Sequence, residues 1–295
     1  MELLPFGKLP PYKARAFVPA ELKIDNWDAI APIFDQLDTA IDECISAADL
    51  EAWLLKVSEL GAILDEDGSR RYIAMTCHTS VDAAKRAYLD FVENIEPHLK
   101  ERFFQLATKF ISHPNRADLS VSRYEILNRD WQSTVDLFRE ENVPLETEES
   151  KLGQQYQEKM GALTVEFNEE EKTLVQMGVY LQETDRSVRQ EAWGLVANRR
   201  LAVADECDQQ FDQLKDIRIQ LAKNAGYGNY RDYKHIAKGR FDYQPEDCFK
   251  FHEAVEKVVM PAYNELLAER KAKLGLDALR PWDTTVDPDG LEPLK

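Results

Sequence analysis

The chain has 295 residues and a mass of 34.0 kDa, with 54 acidic side chains against 37 Lys and Arg, a formal net charge of -17 and a pI near 4.8. That length can bury a large core as one extended domain or two ordinary ones, and the acidic balance argues against nucleic acid as a partner, because phosphate binding needs basic side chains that release counterions. No stretch approaches the roughly 20 apolar residues of a membrane span, the start MELLPFGKLPPYKARAF lacks the basic and apolar runs of a secretion signal, and Cys44, Cys77, Cys207 and Cys248 are scattered without a CxxC pair, as expected of reduced thiols in a cytoplasmic protein.

From Trp27 onward the apolar residues recur at helical spacing. Ile30, Ile33, Phe34, Leu37, Ile41 and Ile45 form one face. A second stripe passes through Leu50, Trp53, Leu54, Val57, Leu60 and Leu64, and DEDGS is expected to break it. A third follows the N-cap candidates Thr79 and Ser80 and runs from Val81 through Tyr88, Val92, Ile95, Leu99 and Leu106 to Phe110, with a kink expected at Pro97. SHPNRAD closes it, and the three helices suggest an antiparallel bundle.

The middle of the chain changes texture. Shorter helices are expected around Tyr124 to Phe138 and Glu148 to Met160. In ALTVEFNEEEKTL, Leu163, Val165 and Phe167 alternate before a polar Asn168 to Glu171 turn, which predicts a β-hairpin. ETDRSVRQEAW then opens a long helix capped by Thr184 or Asp185, continuing through Phe211 and Leu221 until Gly226. A last helix starts at Pro245 and passes Phe249, His252, Val255, Val259, Tyr263 and Leu266 on its way to Gly275. The fold class is therefore mainly α: an extended multi-helix bundle with one small β-hairpin near residues 162–174.

Few residues are arranged for chemistry. GYG at Gly226 follows a charged helix instead of a buried strand and lacks the third glycine, so it is a helix-to-helix turn, not a dinucleotide fingerprint. Cys77 and His78 are adjacent, and neighbours on a helix point about 100 degrees apart. HEAVE, His252 to Glu256, comes near the H-E-x-x-H of zinc peptidases, in which two histidines four apart hold the metal and the glutamate activates water, but Glu256 stands where the second histidine belongs. These residues are either an exposed pair on a helix or, with Glu253 and His235, part of a site whose other members cannot be named. Tyr227, Tyr230, Tyr233 and Tyr243 could line a peptide channel or pack between helices.

The run from ETDRSVRQEAW through NAGYGNYRDYKHIAKGRFDYQPEDC to LRPWD, with LFREENVPLETEE and GALTVEFNEEEKTL upstream, resembles the first half of oligoendopeptidase F-type enzymes, within the thimet oligopeptidase-like zinc metallopeptidases. The likeness covers about residues 100 to 295 and is weaker before them. It implies a helical protein forming one wall and the hinge side of a deep channel that admits short peptides to zinc. The zinc ligands of that family, H-E-x-x-H plus a further glutamate, have no counterpart here, so no catalytic, cofactor-binding or metal residue can be assigned.

The expectation is thus a noncatalytic N-terminal portion of a zinc-dependent oligoendopeptidase, inactive alone, with zinc belonging to the complete enzyme and none expected in this chain. Residues 1–115 would be an N-terminal helical bundle and 116–295 a wall and hinge region leading toward an absent catalytic domain. The partners would be short peptides in the complete enzyme, and a missing catalytic half or a second copy docking on an exposed apolar patch, with no nucleic acid and no membrane. The alternative is an independent helical scaffold, derived from such a peptidase, that binds peptides or partners. Trp282 and Leu291, in the proline-marked stretch near the end, are expected to need a partner.

Overall fold

The structure, a computed structural model, describes residues 15–291. Among these residues eleven α-helical segments and one two-stranded sheet occur. Of the described residues, 15–75 together with Arg86–Phe138 form one compact unit, and Thr76–Lys85 with 139–291 form another.

In the first unit, α1 (Trp27–Ala40) begins at Asn26, whose side-chain oxygen accepts the Ala29 N–H at 3.0 Å. Ile30, Ile33, Phe34, Leu37 and Ile41 are buried as their spacing predicts. Ile45 is exposed instead, because α1 stops at Ala40 and α2 (Ala47–Cys77) starts only at Ala47, leaving Ile45 in the connection. The Glu59 carboxylate on α2 accepts the backbone N–H groups of Ala16, Phe17 and Val18 at 3.0, 2.9 and 2.8 Å, tying down the segment before α1. Burial pushes this carboxyl upward, but the three N–H donors outweigh it and hold the pKa below its ordinary value.

DEDGS does not break α2, which runs through it. Arg70 reaches back to Glu66 at 2.7 Å and Arg71 to Asp67 at 2.6 Å, pairs at i,i+4 that support the helix across the polar run. A Cβ on Gly68 would come within 3.1 Å of the Phe91 ring on α3 (Asp82–Asn94), so this glycine marks a close approach between two helices. Pro97 likewise does more than kink: α3 ends at Asn94 and α4 (Glu96–Ser112) begins, with Pro97 in its first turn, where the missing N–H is tolerated. The buried face continues across this break through Phe91, Val92, Ile95, Leu99, Leu106 and Phe110.

A 3-10 turn at Pro114–Asp118 leads to α5 (Val121–Leu137). Helix α5 belongs with the preceding helices: Trp131 meets the Phe110 ring at 5.0 Å and the Trp53 ring at 6.2 Å, both edge-on. Trp53 spends its indole N–H on the Leu37 carbonyl at 2.9 Å, so this buried aromatic cluster leaves no Trp53 donor unmet. Contact thus extends the first unit to Phe138, past the pattern change near residue 115.

In the second unit, α6 (Asn142–Gly161) precedes β1 (Thr164–Phe167) and β2 (Glu170–Thr173), paired antiparallel from Thr164 with Thr173 to Phe167 with Glu170. The turn is narrower than the four residues expected. It is Asn168 and Glu169 alone, both at positive φ (55 and 63 degrees), the geometry of a two-residue hairpin. Val165 and Phe167 pack with Met177, in a 3-10 stretch at Gln176–Gln182, and with Ala192 on α7 (Arg186–Leu201).

The single long helix expected from ETDRSVRQEAW to Gly226 is two, α7 and α8 (Ala204–Asn224), separated where Val203 leaves the helical region at φ -116, ψ 9 degrees. Neither Gly nor Pro marks this break. Charge suits it: Arg199 and Arg200 end α7 and Asp205 and Glu206 begin α8, each sign at the helix end that favours it. Phe211, assigned to the buried face, is exposed. Helices α6 and α8 are joined largely by polar contacts, with Arg218 on Glu149 at 2.7 Å, Lys159 on Glu206 at 2.8 Å and the Asn142 amide donating to the Leu221 carbonyl at 3.1 Å.

Candidate functional site

The corner after α8 is built by turn chemistry. Gly226 sits at φ 85 degrees, its N–H bonds the Lys223 carbonyl at 3.0 Å and the Tyr227 N–H bonds the Ala222 carbonyl at 2.9 Å, the paired pattern that closes a helix on a left-handed residue. Asn229 then caps α9 (Tyr230–Ala237), accepting the Asp232 N–H at 2.9 Å. Tyr233 is buried, and its ring meets Tyr227 at 5.8 Å and Tyr230 at 6.0 Å. Burial pushes the Tyr233 hydroxyl up to about 12. Three of the four candidate channel tyrosines therefore pack on one another. The fourth, Tyr243, is exposed and stands edge-on to His235 at 5.3 Å.

The LRPWD stretch folds back onto the start of α7. The Asp283 carboxylate accepts two hydrogen bonds from Arg186, at 2.9 and 2.8 Å, one from Arg189 at 3.1 Å and the Arg280 N–H at 2.9 Å. Arg189 donates further to the carbonyls of Glu183, Thr184 and Trp282 at 2.8, 3.0 and 2.9 Å. The Arg186 hydrogen bonds, aided by Arg280 and Arg189 against the opposing effect of burial, hold Asp283 down at about 2. Trp282 rests on the Trp193 ring at 5.3 Å, so it has its partner within the chain, contrary to expectation, while Leu291 is exposed.

Between corner and clamp runs a helix of three parts: α10 (Pro245–Ala254), a π turn at Val255–Val259 and α11 (Met260–Lys273). Asp247 caps its start by accepting the Gln244 N–H at 3.0 Å. Pro261, in the first turn of α11, has no N–H to offer a preceding carbonyl, and the wider π turn before it relieves the clash its ring would make. None of the residues in these three segments is buried. Phe249, Phe251, Val258, Val259, Met260, Tyr263 and Leu266 are between 40% and 72% exposed.

The HEAVE residues do not converge. His252 and Glu256 are exposed, Glu253 lies 3.5 Å from the Lys257 ammonium, and the π turn begins at Val255, inside the motif. His235 is buried on another helix, its Nε2–H donating to the Tyr243 carbonyl at 2.9 Å. Among the described residues no group of three or more His, Cys, Asp or Glu side chains could hold a metal ion, so zinc does not fit the residues present. Nor is any helix among them long and apolar enough to cross a membrane. The Asp283 clamp and the π turn escaped the sequence reading, although Pro261 directly after VEKVVM was a signal for the second.

Two family models match the chain: the Peptidase M3 N-terminal domain over residues 17–138 and Peptidase family M3 over residues 179–288. No curated protein sequence matches it. Among solved structures, a chain described as an oligoendopeptidase F from Bacillus anthracis str. Ames has a TM-score of 0.84 at 21% identity, covering 92% of this chain and 50% of that one. PZ peptidase A, solved with an inhibitor, has a TM-score of 0.84 at 22% identity, covering 93% of this chain and 49% of its own. The oligoendopeptidase F from Enterococcus faecium has a TM-score of 0.62 at 14% identity, covering 88% of this chain and 56% of its own. The chain thus spans about half the length of the solved structures it resembles. Carrying the N-terminal domain of the M3 peptidases and, after it, a stretch of the Peptidase family M3 model, the chain belongs to the M3 peptidase family.

Proposed function

We propose that the chain is the noncatalytic N-terminal portion of a zinc-dependent oligoendopeptidase, forming one wall of the channel through which short peptides reach the metal. The observation that carries this reading is a combination: M3 family matches cover residues 17–138 and 179–288, yet the described side chains offer no metal-binding group. Zinc and its water-activating glutamate would belong to the remainder of the enzyme. A cytoplasmic setting accords with four unpaired cysteines.

The test is peptide cleavage. The 295-residue chain alone should leave a short quenched fluorogenic peptide intact, and the same chain completed by an H-E-x-x-H-bearing second half should cleave it in a zinc-dependent, chelator-sensitive way. Cleavage by the isolated chain would sink the proposal. The unburied helix between Pro245 and Lys273 favours one second reading, a helical scaffold that binds peptides or partners. A reading frame ending at Lys295, together with tight binding of a folded partner or peptide by this chain alone, would select it.

A further inference from the structure

The long helix of the second unit is held at both ends and bare along its length. Near its start the Arg231 guanidinium of α9 lies over the Phe249 ring at 5.8 Å, and near its end the Arg270 guanidinium bonds the Val286 carbonyl and Lys273 pairs with Asp289 at 2.8 Å, so it is not a loose extension. Yet no residue from Pro245 to Lys273 is buried. Aromatic side chains present about 150–250 Å² each, so Phe249, Phe251 and Tyr263 at about half exposure leave on the order of 300 Å² bare, and Val258, Val259, Met260 and Leu266 add to it. That already reaches the roughly 300–600 Å² of the largest patch on an ordinary monomer, a size that marks interaction surfaces.

We propose that this surface, with Phe251, Val258, Val259, Tyr263 and Leu266 at its centre, is the docking face for the second half of an M3 peptidase polypeptide; the inference rests on the function proposed above and names the partner. Two observations choose this occupant over a second copy of the chain. The solved structures with a TM-score of 0.84 use only 49–50% of their length on the part that matches here, so in them an equal length of polypeptide accompanies this fold. Self-association would instead bring together two chains of formal charge -17, whose mutual repulsion opposes dimer formation. The helix itself is nearly balanced, with six acidic and five basic side chains from Pro245 to Lys273, so apolar contact and not a strong field governs what lies on it.

The experiment places a photo-crosslinking amino acid at Val258 in the chain expressed from its own gene in its own cells, and identifies the crosslinked peptides by mass spectrometry. Crosslinks to sequence of an H-E-x-x-H-bearing M3 polypeptide, whether continuous with this chain or separate, are the expected result. Crosslinks to a second copy, crosslinks to an unrelated protein, or none at all overturn the proposal. In parallel, the double variant Val258→Asp, Leu266→Asp should reduce recovery of the H-E-x-x-H-bearing segment with the 295-residue portion at least tenfold, after limited proteolysis if the two are one chain. It should leave the melting temperature of the isolated 295-residue chain unchanged. Undiminished recovery, or a melting point lowered by several degrees, counts against docking at this face. Restored peptidase activity without the crosslink defeats this inference alone; the crosslink without any peptidase activity defeats only the proposed function.

Discussion

Arg189 and Asp283 stand 94 residues apart and meet at 3.1 Å, with neither side chain more than 3% exposed. Arg186, 97 residues from the same carboxylate, pairs with it too but is 41% exposed. Removing the carboxylate strands the Arg189 guanidinium, and breaking a buried pair from one side costs about 3–5 kcal/mol. Asp283→Ala should therefore lower the urea midpoint of the second unit markedly. A midpoint within error of the parent would mean that the clamp contributes nothing.

The same carboxylate predicts an acid limit. Its pKa is about 2 in the folded chain, against an ordinary value of 3.8. A depressed carboxyl stabilises fully above the unfolded value and loses that stabilisation as pH falls through the folded one. Stability of the second unit should thus decline between about pH 4 and pH 2 from this group. Unfolding curves of Asp283→Asn, already weaker at neutral pH, should be flatter over that window, and equal slopes would contradict the assignment.

Gly68 tests whether α2 and α3 approach as closely as described. A Cβ there meets the Phe91 ring at 3.1 Å, and overfilling a packed contact costs about 1–3 kcal/mol. Gly68→Val should destabilise the first unit by that amount, and adding Phe91→Leu should return part of the loss. If the second substitution only adds to the first, the two residues do not share a contact.

The hairpin offers a change in the opposite direction. Glu169 holds φ at 63 degrees, a left-handed conformation that costs a residue with a Cβ about 1–2 kcal/mol. Glu169→Gly completes an Asn-Gly turn and should raise thermal stability by about 0.5–1 kcal/mol, since the greater freedom of glycine when unfolded offsets part of the gain. A lower melting temperature would show that the Glu169 side chain matters more than its backbone.

At the corner, Tyr233 and not Tyr230 is the buried ring. Tyr233→Ala should cost about 3–5 kcal/mol, the range for large aromatic truncations in cores, with Tyr230→Ala roughly half as costly. Ultraviolet titration should show one tyrosine ionising near pH 12, absent from Tyr233→Ala. Full ionisation of all tyrosines by pH 11 would place Tyr233 in solvent.

The apolar period was legible in the first unit, where Ile30 to Leu37, Leu50 to Leu64 and Val92 to Phe110 lie inside as their spacing requires, but it did not predict burial for Val81, which is exposed, or for Phe249, Val259, Tyr263 and Leu266 on the last helix. The helix ends were less so, because local composition does not settle them. DEDGS has the look of a break but is carried by its own i,i+4 ion pairs, whereas the true break at Val203 has no glycine or proline. Gly226 and Pro245 were readable because each supplies a backbone geometry of its own. The clamp on Asp283 was not, since its meaning depends on two arginines almost a hundred residues away. His252 stood out through a near-motif that already lacked its second histidine, and the fold leaves both His252 and Glu256 exposed.

The π turn at Val255–Val259 has a consequence for chain length. Such a turn holds one residue more than the α-helix needs, and each α-helical residue advances the side-chain direction by about 100 degrees. Loss of a single codon within a helix is ordinarily among the most disruptive changes, yet within these five residues it would leave a regular helix behind. Nor would it turn Tyr263 and Leu266 against Phe249 and Phe251, because the wide turn already absorbs the roughly 100 degrees that the additional residue would otherwise add. The chain can therefore lose a residue here while the bare helix keeps the same face toward whatever covers it.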